Sequence, residues 1–126
     1  MVYITGITGF IGQNLSQYLG DHVVGVNLRK QQPLVFEKGA AVVHLAGKAH
    51  DLKKTLAASE YYTVNTELTK KVFDAFLASE AAVFVFMSTV KALEGKEIGA
   101  SAYSQSKYQA EEYILAQKVP PGKRVY

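Results

Sequence analysis

The hydrophobic positions of this chain fall into two alternating kinds of segment. Short apolar, β-prone runs occur at residues 2–5, 22–26, 40–46 and 83–87, of which 40–46 and 83–87 are continuous rather than alternating, and residues 124–126 resemble the start of one more strand. Such runs are typical of strands that are buried on both faces of a parallel sheet. Between them, apolar residues recur at helical spacing from residue 10 onward and over residues 61–78 and 104–118. This alternation predicts an α/β fold with a doubly wound parallel sheet.

Residues 30–40 do not fit this alternation. A connection between neighbouring parallel strands needs about 10–12 residues and usually contains a helix, but Pro33 and Gly39 leave no good helix here. Residues 34–36 are apolar enough for a short strand, although a strand here would lack a proper connection to its neighbours. We therefore expect either a degenerate crossover or a place where sequence is missing.

Composition narrows the class of protein. The chain has 126 residues, 48% hydrophobic and 20% charged, which excludes a disordered chain. Ten Gly, three Pro and no Cys exclude collagen-like and disulfide-framework proteins. No apolar run approaches the ~20 residues of a membrane-spanning helix, and the first residues do not resemble a signal peptide. We expect a cytoplasmic protein without membrane insertion. The net charge of +3 suits an anionic small ligand as well as a weak preference for a polyanion, and it does not distinguish the two.

Three glycines separate the first predicted strand from the first predicted helix. In residues 5–12, TGITGFIG, they are Gly6, Gly9 and Gly12. In this context Gly6 permits a tight turn, Gly9 lets the backbone approach a dinucleotide pyrophosphate, and Gly12 lets the helix pack closely on the sheet. The helix N-terminus that follows offers free N–H groups and the positive end of its dipole to the phosphates. The alternative is a glycine-rich turn that binds no ligand.

TGITGFIG resembles the glycine motif of the extended short-chain dehydrogenase/reductase family, the NAD(P)-dependent epimerases, dehydratases and reductases that act on nucleotide sugars. Further stretches resemble this family in the same order along the chain, namely VVHLAG at 42–47, VN at 64–65, ST at 88–89 and YSQSK at 103–107. The resemblance implies a Rossmann-like fold, NAD or NADP as cofactor, a nucleotide-sugar substrate and hydride transfer.

The resemblance also implies roles for individual residues. Thr89, with Ser88 beside it, matches the catalytic Ser/Thr that hydrogen-bonds the reacting oxygen. Tyr103 matches the acid/base, and Lys107 matches the residue that lowers the tyrosine pKa and holds the nicotinamide ribose. The predicted cofactor-binding residues are Gly6, Gly9, Phe10, Ile11, Gly12, Asn27, Arg29, Leu45, Ala46, Gly47, Asn65, Tyr103 and Lys107. No metal site is predicted.

Two polar residues of these motifs have a structural interpretation as well. Asn65 lies on an otherwise apolar helix face, where its amide costs free energy unless it is satisfied. It either positions the cofactor or the active-site backbone, or it is a satisfied structural amide. For His44 we favour a buried, hydrogen-bonded strand histidine over a catalytic role, and His50 lies near a substrate phosphate or is solvated.

The spacing of Tyr103 and Lys107 has a physical rationale. Residues four positions apart share one face of a helix, so the ammonium lies near the phenol. Free tyrosine titrates near 10, and a tyrosine that exchanges protons near pH 7 needs a pKa shift of roughly three units, or about 4 kcal/mol. An adjacent ammonium and the positive nicotinamide ring both favour the phenolate.

Two positions depart from the family pattern. The end of the second strand carries Asn27 where the family usually has an acid for the adenine ribose, and Arg29 follows it. Without that carboxylate a 2′-phosphate is not repelled, so we expect NADP to be tolerated or preferred. Val90 and Lys91 stand where dehydratases usually carry an acidic pair, which favours a 4-epimerase or a keto-sugar reductase. The local sequence STVKA resembles bacterial members that make surface-polysaccharide sugars.

These observations predict one NAD(P)-binding domain over residues 1–126, lacking the substrate-binding half of the family. The alternative function is a non-catalytic dinucleotide-binding module or an inactive fragment of such an enzyme. A nucleic-acid partner is disfavoured because the lysine pairs 53–54 and 70–71 are typical of solvated helix faces, without interleaved aromatic residues. By analogy with the family, a homodimer would form through the helices at 61–78 and 104–118.

Overall fold

A computed structural model describes residues 1–48 and 57–126 of the chain. These ranges contain the strands β1 (Val2–Thr5), β2 (Val23–Val26), β3 (Ala41–His44), β4 (Val83–Phe86) and β5 (Arg124–Val125). Their helices are α1 (Phe10–Leu19), α2 (Ala58–Tyr61), α3 (Leu68–Ala78) and α4 (Ala102–Ala116). Every predicted strand and helix is confirmed, with ends that differ from the prediction by at most three residues.

The strands form one parallel sheet in the order β2-β1-β3-β4-β5. The predicted Rossmann-like α/β fold is therefore confirmed. The chain runs outward from β1 to β2 on one side and continues at β3 on the other. The order of the strands thus reverses beside β1, at the carboxyl ends of β1 and β3, where Thr5 and His44 are partners in the register. Ligands of such sheets bind at this kind of reversal.

The described residues divide into two compact units. The sheet unit comprises Met1–Ala46, Val72–Met87 and Val119–Tyr126, and the helical unit comprises Gly47–Lys71 and Ser88–Lys118. The sheet unit holds all five described strands and α1, whereas the helical unit holds α2 and α4. Among the described residues, no helix is long and apolar enough to cross a membrane.

An aromatic cluster forms the centre of the sheet unit. The rings of Phe73, Phe76 and Phe84 lie 4.9 to 5.9 Å apart between centroids and are fully buried. Close by, the Lys123 ammonium donates to the carbonyl oxygens of Phe76, Ser79 and Ala81 at 3.0, 2.7 and 2.6 Å. These are carbonyls at and just beyond the end of α3, where a cation is favoured by the helix dipole.

The connection between β2 and β3 contains neither helix nor strand. Residues 27–40, all of which the structure describes, run as irregular chain, as Pro33 and Gly39 predict. Phe36 is buried at the end of this connection and packs edge-on against Tyr3 of β1, with ring centroids 5.2 Å apart. The crossover is therefore degenerate, which is one of the two expected arrangements, and residues 34–36 form no strand.

The apolar spacing over residues 61–78 predicts a helix with Val64, Leu68, Val72 and Phe76 on one face. The structure instead begins it at Ala58 and inserts a π-helical segment, Tyr62–Glu67, between α2 and α3. A π turn holds more residues than an α turn, so it rotates the side chains that follow. Consequently Val64 and Leu68 are only partly buried, and the polar residues Asn65, Thr66 and Thr69 are buried instead.

Candidate active site

The glycine loop of the sheet unit is shaped by close backbone contacts. Gly6 has φ +70°, and a Cβ on it would lie 2.7 Å from the backbone nitrogen of Ala46. A Cβ on Gly12 would lie 2.7 Å from the Cα of Ile7. The Gly9 N–H donates to the Gly6 carbonyl at 3.0 Å, which closes the turn. Gly6 and Gly12 are therefore required by packing, as their spacing predicts.

The loop leaves space where a phosphate group is expected. A Cβ on Gly9 would have only the Gly6 oxygen within 4 Å, at 3.3 Å, so the region in front of this backbone is open. Gly9 is the N-cap of α1, and Phe10 and Ile11 in the first turn are exposed. The N–H groups of a first helical turn have no acceptor within their helix. This arrangement fits the pyrophosphate of a dinucleotide.

Thr5 fastens the segment after β3 to the end of β1. Its buried hydroxyl oxygen accepts hydrogen bonds from the backbone N–H groups of Leu45 and Ala46, both at 3.1 Å. The same oxygen lies 2.7 Å from Nδ1 of His44. His44 is only 1% exposed, so the prediction of a buried, hydrogen-bonded strand histidine is confirmed. Sequence reasoning assigned no role to Thr5, although a threonine at the end of a buried strand indicates that its hydroxyl needs such a bond.

The end of β2 carries the two residues predicted to contact the adenine ribose. Asn27 accepts a hydrogen bond from the Arg29 N–H at its Oδ1, at 3.0 Å. The side chains of both residues are exposed. The turn therefore holds an amide and a guanidinium at the surface of the sheet unit, where they are available to a ligand.

In the helical unit, Asn65 is the centre of a buried hydrogen-bond network. Its Oδ1 accepts from the Lys48 N–H at 2.8 Å, and its Nδ2 donates to the Ser106 hydroxyl at 3.1 Å. That hydroxyl donates to the Tyr103 carbonyl at 2.8 Å, and Thr66 donates to the Ser106 carbonyl at 2.9 Å. Asn65 is thus a satisfied amide that also ties the π-helical segment to the first turns of α4.

Helix α4 presents Tyr103 and Lys107. The helix begins at Ser101, whose side chain accepts from the Ser104 N–H at 3.1 Å. Tyr103 is partly buried, and its ring lies edge-on to that of Tyr61 with 6.1 Å between centroids. Lys107, one turn later, is only 8% exposed.

Gly47 lies close to the ammonium of Lys107. A Cβ added to Gly47 would lie 3.0 Å from Asn65 Oδ1 and 3.9 Å from the Nζ of Lys107. The helical unit therefore brings the predicted residues Gly47, Asn65 and Lys107 together, with Tyr103 on the same helix. Burial lowers the pKa of Lys107, and the nearby Glu111 carboxylate acts in the opposite direction.

The hydroxyls of Ser88 and Thr89, which follow β4, have different hydrogen-bond partners. Ser88 donates a hydrogen bond to the carboxylate of Glu111, one helical turn beyond Lys107 on α4. Thr89 accepts from the Lys91 N–H at 3.3 Å and caps the short 3₁₀ turn Val90–Glu94. Sequence reasoning missed Glu111, although its spacing of four residues from Lys107 places it on the same helix face. The predictions for His50 and for the lysines at 53–54 lie outside the described residues.

Comparison with known proteins identifies the family of the chain. A family model described as "NAD dependent epimerase/dehydratase family" matches residues 22–119, which include Asn65, Ser88, Thr89, Tyr103 and Lys107. A curated relative, UDP-glucose 4-epimerase of Vibrio cholerae, is 28% identical over 88% of this chain and 42% of its own length.

Solved structures share the fold. MoeE5 in complex with UDP-glucose and NAD has a TM-score of 0.72 at 23% identity, covering 98% of this chain and 51% of its own. RMD from Pseudomonas aeruginosa, complexed with NADPH, has a TM-score of 0.71 at 22% identity, covering 98% and 52%. The chain thus spans about half the length of the relatives it matches.

The close approach at Gly6 predicts a difference between two glycine substitutions. Gly39 has nearly the same φ, +74°, but a Cβ there would meet nothing within 4 Å. Gly39→Ala should therefore lower the free energy of unfolding only by the backbone cost, about 1–2 kcal/mol. Gly6→Ala adds overlap with Ala46 and should lower it by about 2 kcal/mol more. Urea denaturation of both variants measures the difference, and equal losses would contradict the proposed contact.

The buried ammonium predicts a pH-dependent effect of Lys107→Met. Because burial disfavours the charged form in the folded protein, the variant should equal or exceed the wild type in unfolding free energy at pH 7, by up to about 2 kcal/mol. The unfolded chain holds this proton more tightly, so the wild type gains stability as pH rises from the folded-state pKa towards 10.5. Urea denaturation from pH 7 to 10 should show the gap closing, whereas a gap that widens would refute this account. The control, exposed Lys118→Met, should change stability by less than about 0.5 kcal/mol.

Proposed function

Because the chain belongs to the NAD dependent epimerase/dehydratase family, we propose that it serves an NAD(P)-dependent epimerase or reductase that acts on a nucleotide sugar by hydride transfer. The observation that carries this proposal is the arrangement on α4, where Tyr103 is followed one turn later by the buried ammonium of Lys107. Asn65 and Gly47 surround that ammonium with a satisfied, closely packed network. Burying a cation costs stability unless pairing and hydrogen bonds offset the desolvation, and the presence of such a costly group one turn after Tyr103 supports a catalytic role.

The proposed chemistry assigns one task to each group. Tyr103 removes the proton of the sugar hydroxyl that becomes a carbonyl, and returns it when the carbonyl is reduced. Lys107 stabilises the phenolate by its positive charge, and Glu111 helps to keep that charge on the lysine. Thr89 hydrogen-bonds the reacting oxygen. The nicotinamide ring, when bound, supplies the hydride acceptor and donor.

We propose that the glycine loop holds the cofactor. The open backbone at Gly9 and the first turn of α1 bind the pyrophosphate, and Asn27 and Arg29 contact the adenine ribose. Leu45, Ala46 and Gly47 offer a backbone that the nicotinamide half of the cofactor can approach closely. This assignment is supported by the packing of the loop, which only glycines permit at Gly6 and Gly12.

We propose a nucleotide sugar as the substrate on the basis of the relatives. The Vibrio cholerae protein is a UDP-glucose 4-epimerase, and the structure of MoeE5 was solved in complex with UDP-glucose. Epimerisation or reduction is favoured over dehydration because Val90 and Lys91 follow Thr89, where dehydratases carry acids. The sequence STVKA supports a place in surface-polysaccharide synthesis in the cytoplasm.

We also propose a homodimer formed through the helices at 61–78 and 104–118. The large apolar side chain of Leu115 on α4 is exposed, which supports a contact at this helix. Sedimentation velocity measures the mass of the protein in solution, and a monomer at micromolar concentration would contradict the dimer.

Tyr103→Phe should abolish turnover and spare cofactor binding. The variant keeps the ring and its contact with Tyr61 but loses the acid/base hydroxyl, so kcat should fall by about 10²–10⁴-fold. The assay follows reduced cofactor and sugar composition with UDP-glucose and either NAD or NADP. The matched control is Tyr108→Phe on the same helix, which removes a hydroxyl bonded to exposed Glu112 and should leave kcat unchanged.

Two results would contradict this assignment. Full turnover by Tyr103→Phe would remove Tyr103 as the acid/base. A wild-type protein that binds NAD or NADP tightly but turns over no nucleotide sugar would favour the alternative, a non-catalytic dinucleotide-binding module.

Cofactor choice should depend on Arg29. Its exposed guanidinium can pair with the 2′-phosphate of NADP, and a charge-assisted hydrogen bond contributes about 1.5–3 kcal/mol. Arg29→Ala should therefore weaken NADP binding about tenfold or more and leave NAD binding unchanged, as measured by fluorescence titration. Asn27→Asp should shift preference towards NAD by repelling the phosphate. Lys38→Ala, an equal charge change at another exposed site of the sheet unit, is the control. Much tighter NAD than NADP binding by the wild type would reject the NADP hypothesis.

A further inference from the structure

We propose that His44 is a positioning residue for the glycine loop. Its unprotonated Nδ1 accepts the Thr5 hydroxyl proton, and this fixes the Thr5 oxygen as the acceptor for the backbone that supports Gly6. Only the expected effect of His44 on cofactor affinity rests on the proposed function. The link between His44, Thr5 and the loop is a property of the sheet unit by itself.

The hydrogen-bond inventory of Thr5 determines the direction of the bond. A threonine hydroxyl has one proton to donate and two lone pairs that accept. Both lone pairs are occupied, because the N–H groups of Leu45 and Ala46 each donate to this oxygen at 3.1 Å. The proton is therefore directed at His44 Nδ1, 2.7 Å away. An acceptor Nδ1 requires the neutral imidazole tautomer that carries its proton on Nε2.

The strand register holds the imidazole ring in this orientation. His44 is paired with Thr5 on β1 and with Phe86 on β4. The ring stacks against Phe86 and Phe84, with centroids 6.1 and 6.3 Å away, and is almost fully buried. Water therefore does not compete for the Thr5 proton, and the bond has the strength of a buried one.

Loss of the acceptor at residue 44 would affect the glycine loop through one contact between backbone segments. Without an acceptor on residue 44, the Thr5 hydroxyl would turn its proton towards another group, and the Ala46 amide would lose its acceptor. The Leu45 amide would keep the Thr5 carbonyl oxygen, to which it also donates at 3.3 Å. A shift of this segment moves the surface against which Gly6 packs, because the closest atoms to a Cβ on Gly6 belong to Ala46 and Leu45. The Gly6 carbonyl in turn accepts from the Gly9 N–H. His44 thus sets the loop position without touching a ligand.

Two substitutions separate this role from that of a core aromatic residue. His44→Phe keeps a ring of similar shape against Phe84 and Phe86 but removes the acceptor. His44→Asn removes the ring but places an acceptor oxygen where Nδ1 stands. A purely structural histidine predicts that the Phe variant resembles the wild type and that the Asn variant is the impaired one. The positioning role predicts the reverse order for the loop.

The primary test is nuclear magnetic resonance of the ¹⁵N-labelled protein without cofactor. Two-bond proton–nitrogen correlations of the imidazole should show the neutral Nε2–H tautomer at His44. In His44→Phe, amide exchange at Ala46 should be about tenfold faster than in wild type, while Leu45, which also donates to the Thr5 carbonyl, should change less and His44→Asn should restore protection at Ala46. Thr5→Ser, which keeps the hydroxyl, should match the wild type, and Thr5→Val should match His44→Phe. A protonated ring, an Nδ1–H tautomer, or unchanged exchange in His44→Phe would each overturn the proposal.

Cofactor titration then separates the two proposals. His44→Phe should bind NAD or NADP about tenfold more weakly, equivalent to ~1.4 kcal/mol, under conditions in which both proteins are fully folded. If the wild type binds neither cofactor, the proposed function fails, while the resonance data still decide the role of His44. If the wild type binds and His44→Phe binds equally well, the positioning role fails and the proposed function stands.

Discussion

The hydrogen bonds of the Thr5 hydroxyl hold together the carboxyl ends of β1 and β3. Thr5 is the last residue of β1, beside which the order of the strands reverses, and its side-chain oxygen accepts hydrogen bonds from two backbone amides that follow β3. The Gly6 backbone can then approach Ala46 more closely than any side chain would permit. This approach adds to the backbone cost of φ +70° at Gly6, because a Cβ there would overlap the backbone of Leu45 and Ala46.

The interior of the helical unit contains buried polar side chains, each of which needs hydrogen-bond partners. Asn65, Ser106 and Thr66 satisfy one another and the backbone of α4 by hydrogen bonds. Among the side chains that the structure describes, no buried nitrogen or oxygen lacks a partner. The π-helical segment makes this possible, because it turns Asn65 inward, where a regular α-helix would favour Val64. Functional sites often coincide with such segments.

The sequence predicted those features that depend on local pattern. Uninterrupted apolar strands, the glycine loop and the helix carrying Tyr103 and Lys107 all follow from residue type and spacing. The π-helical segment could not be predicted, since its apolar spacing at Val64 and Leu68 is that of an ordinary helix. The bonds of Thr5 to His44 and of Ser88 to Glu111 join residues far apart in sequence, and only the strand register and the helix packing bring them together. The degenerate crossover at 27–40 was predictable because Pro33 and Gly39 exclude a helix by local chemistry alone.

The two units consequently differ in how they respond to substitution. The centre of the sheet unit is an aromatic cluster whose stability comes from buried apolar area, and related apolar side chains can replace one another there at modest cost. The helical unit relies on pairwise satisfied polar groups, so removing one member leaves its partner buried and unpaired, which costs more than the bond itself contributed. Lys107 belongs to this second kind of interior and is a charge that burial disfavours. A polar interior of this kind holds its side chains in defined positions but lowers the free energy of unfolding. Such a loss of stability is expected where residues are selected for chemistry rather than for packing.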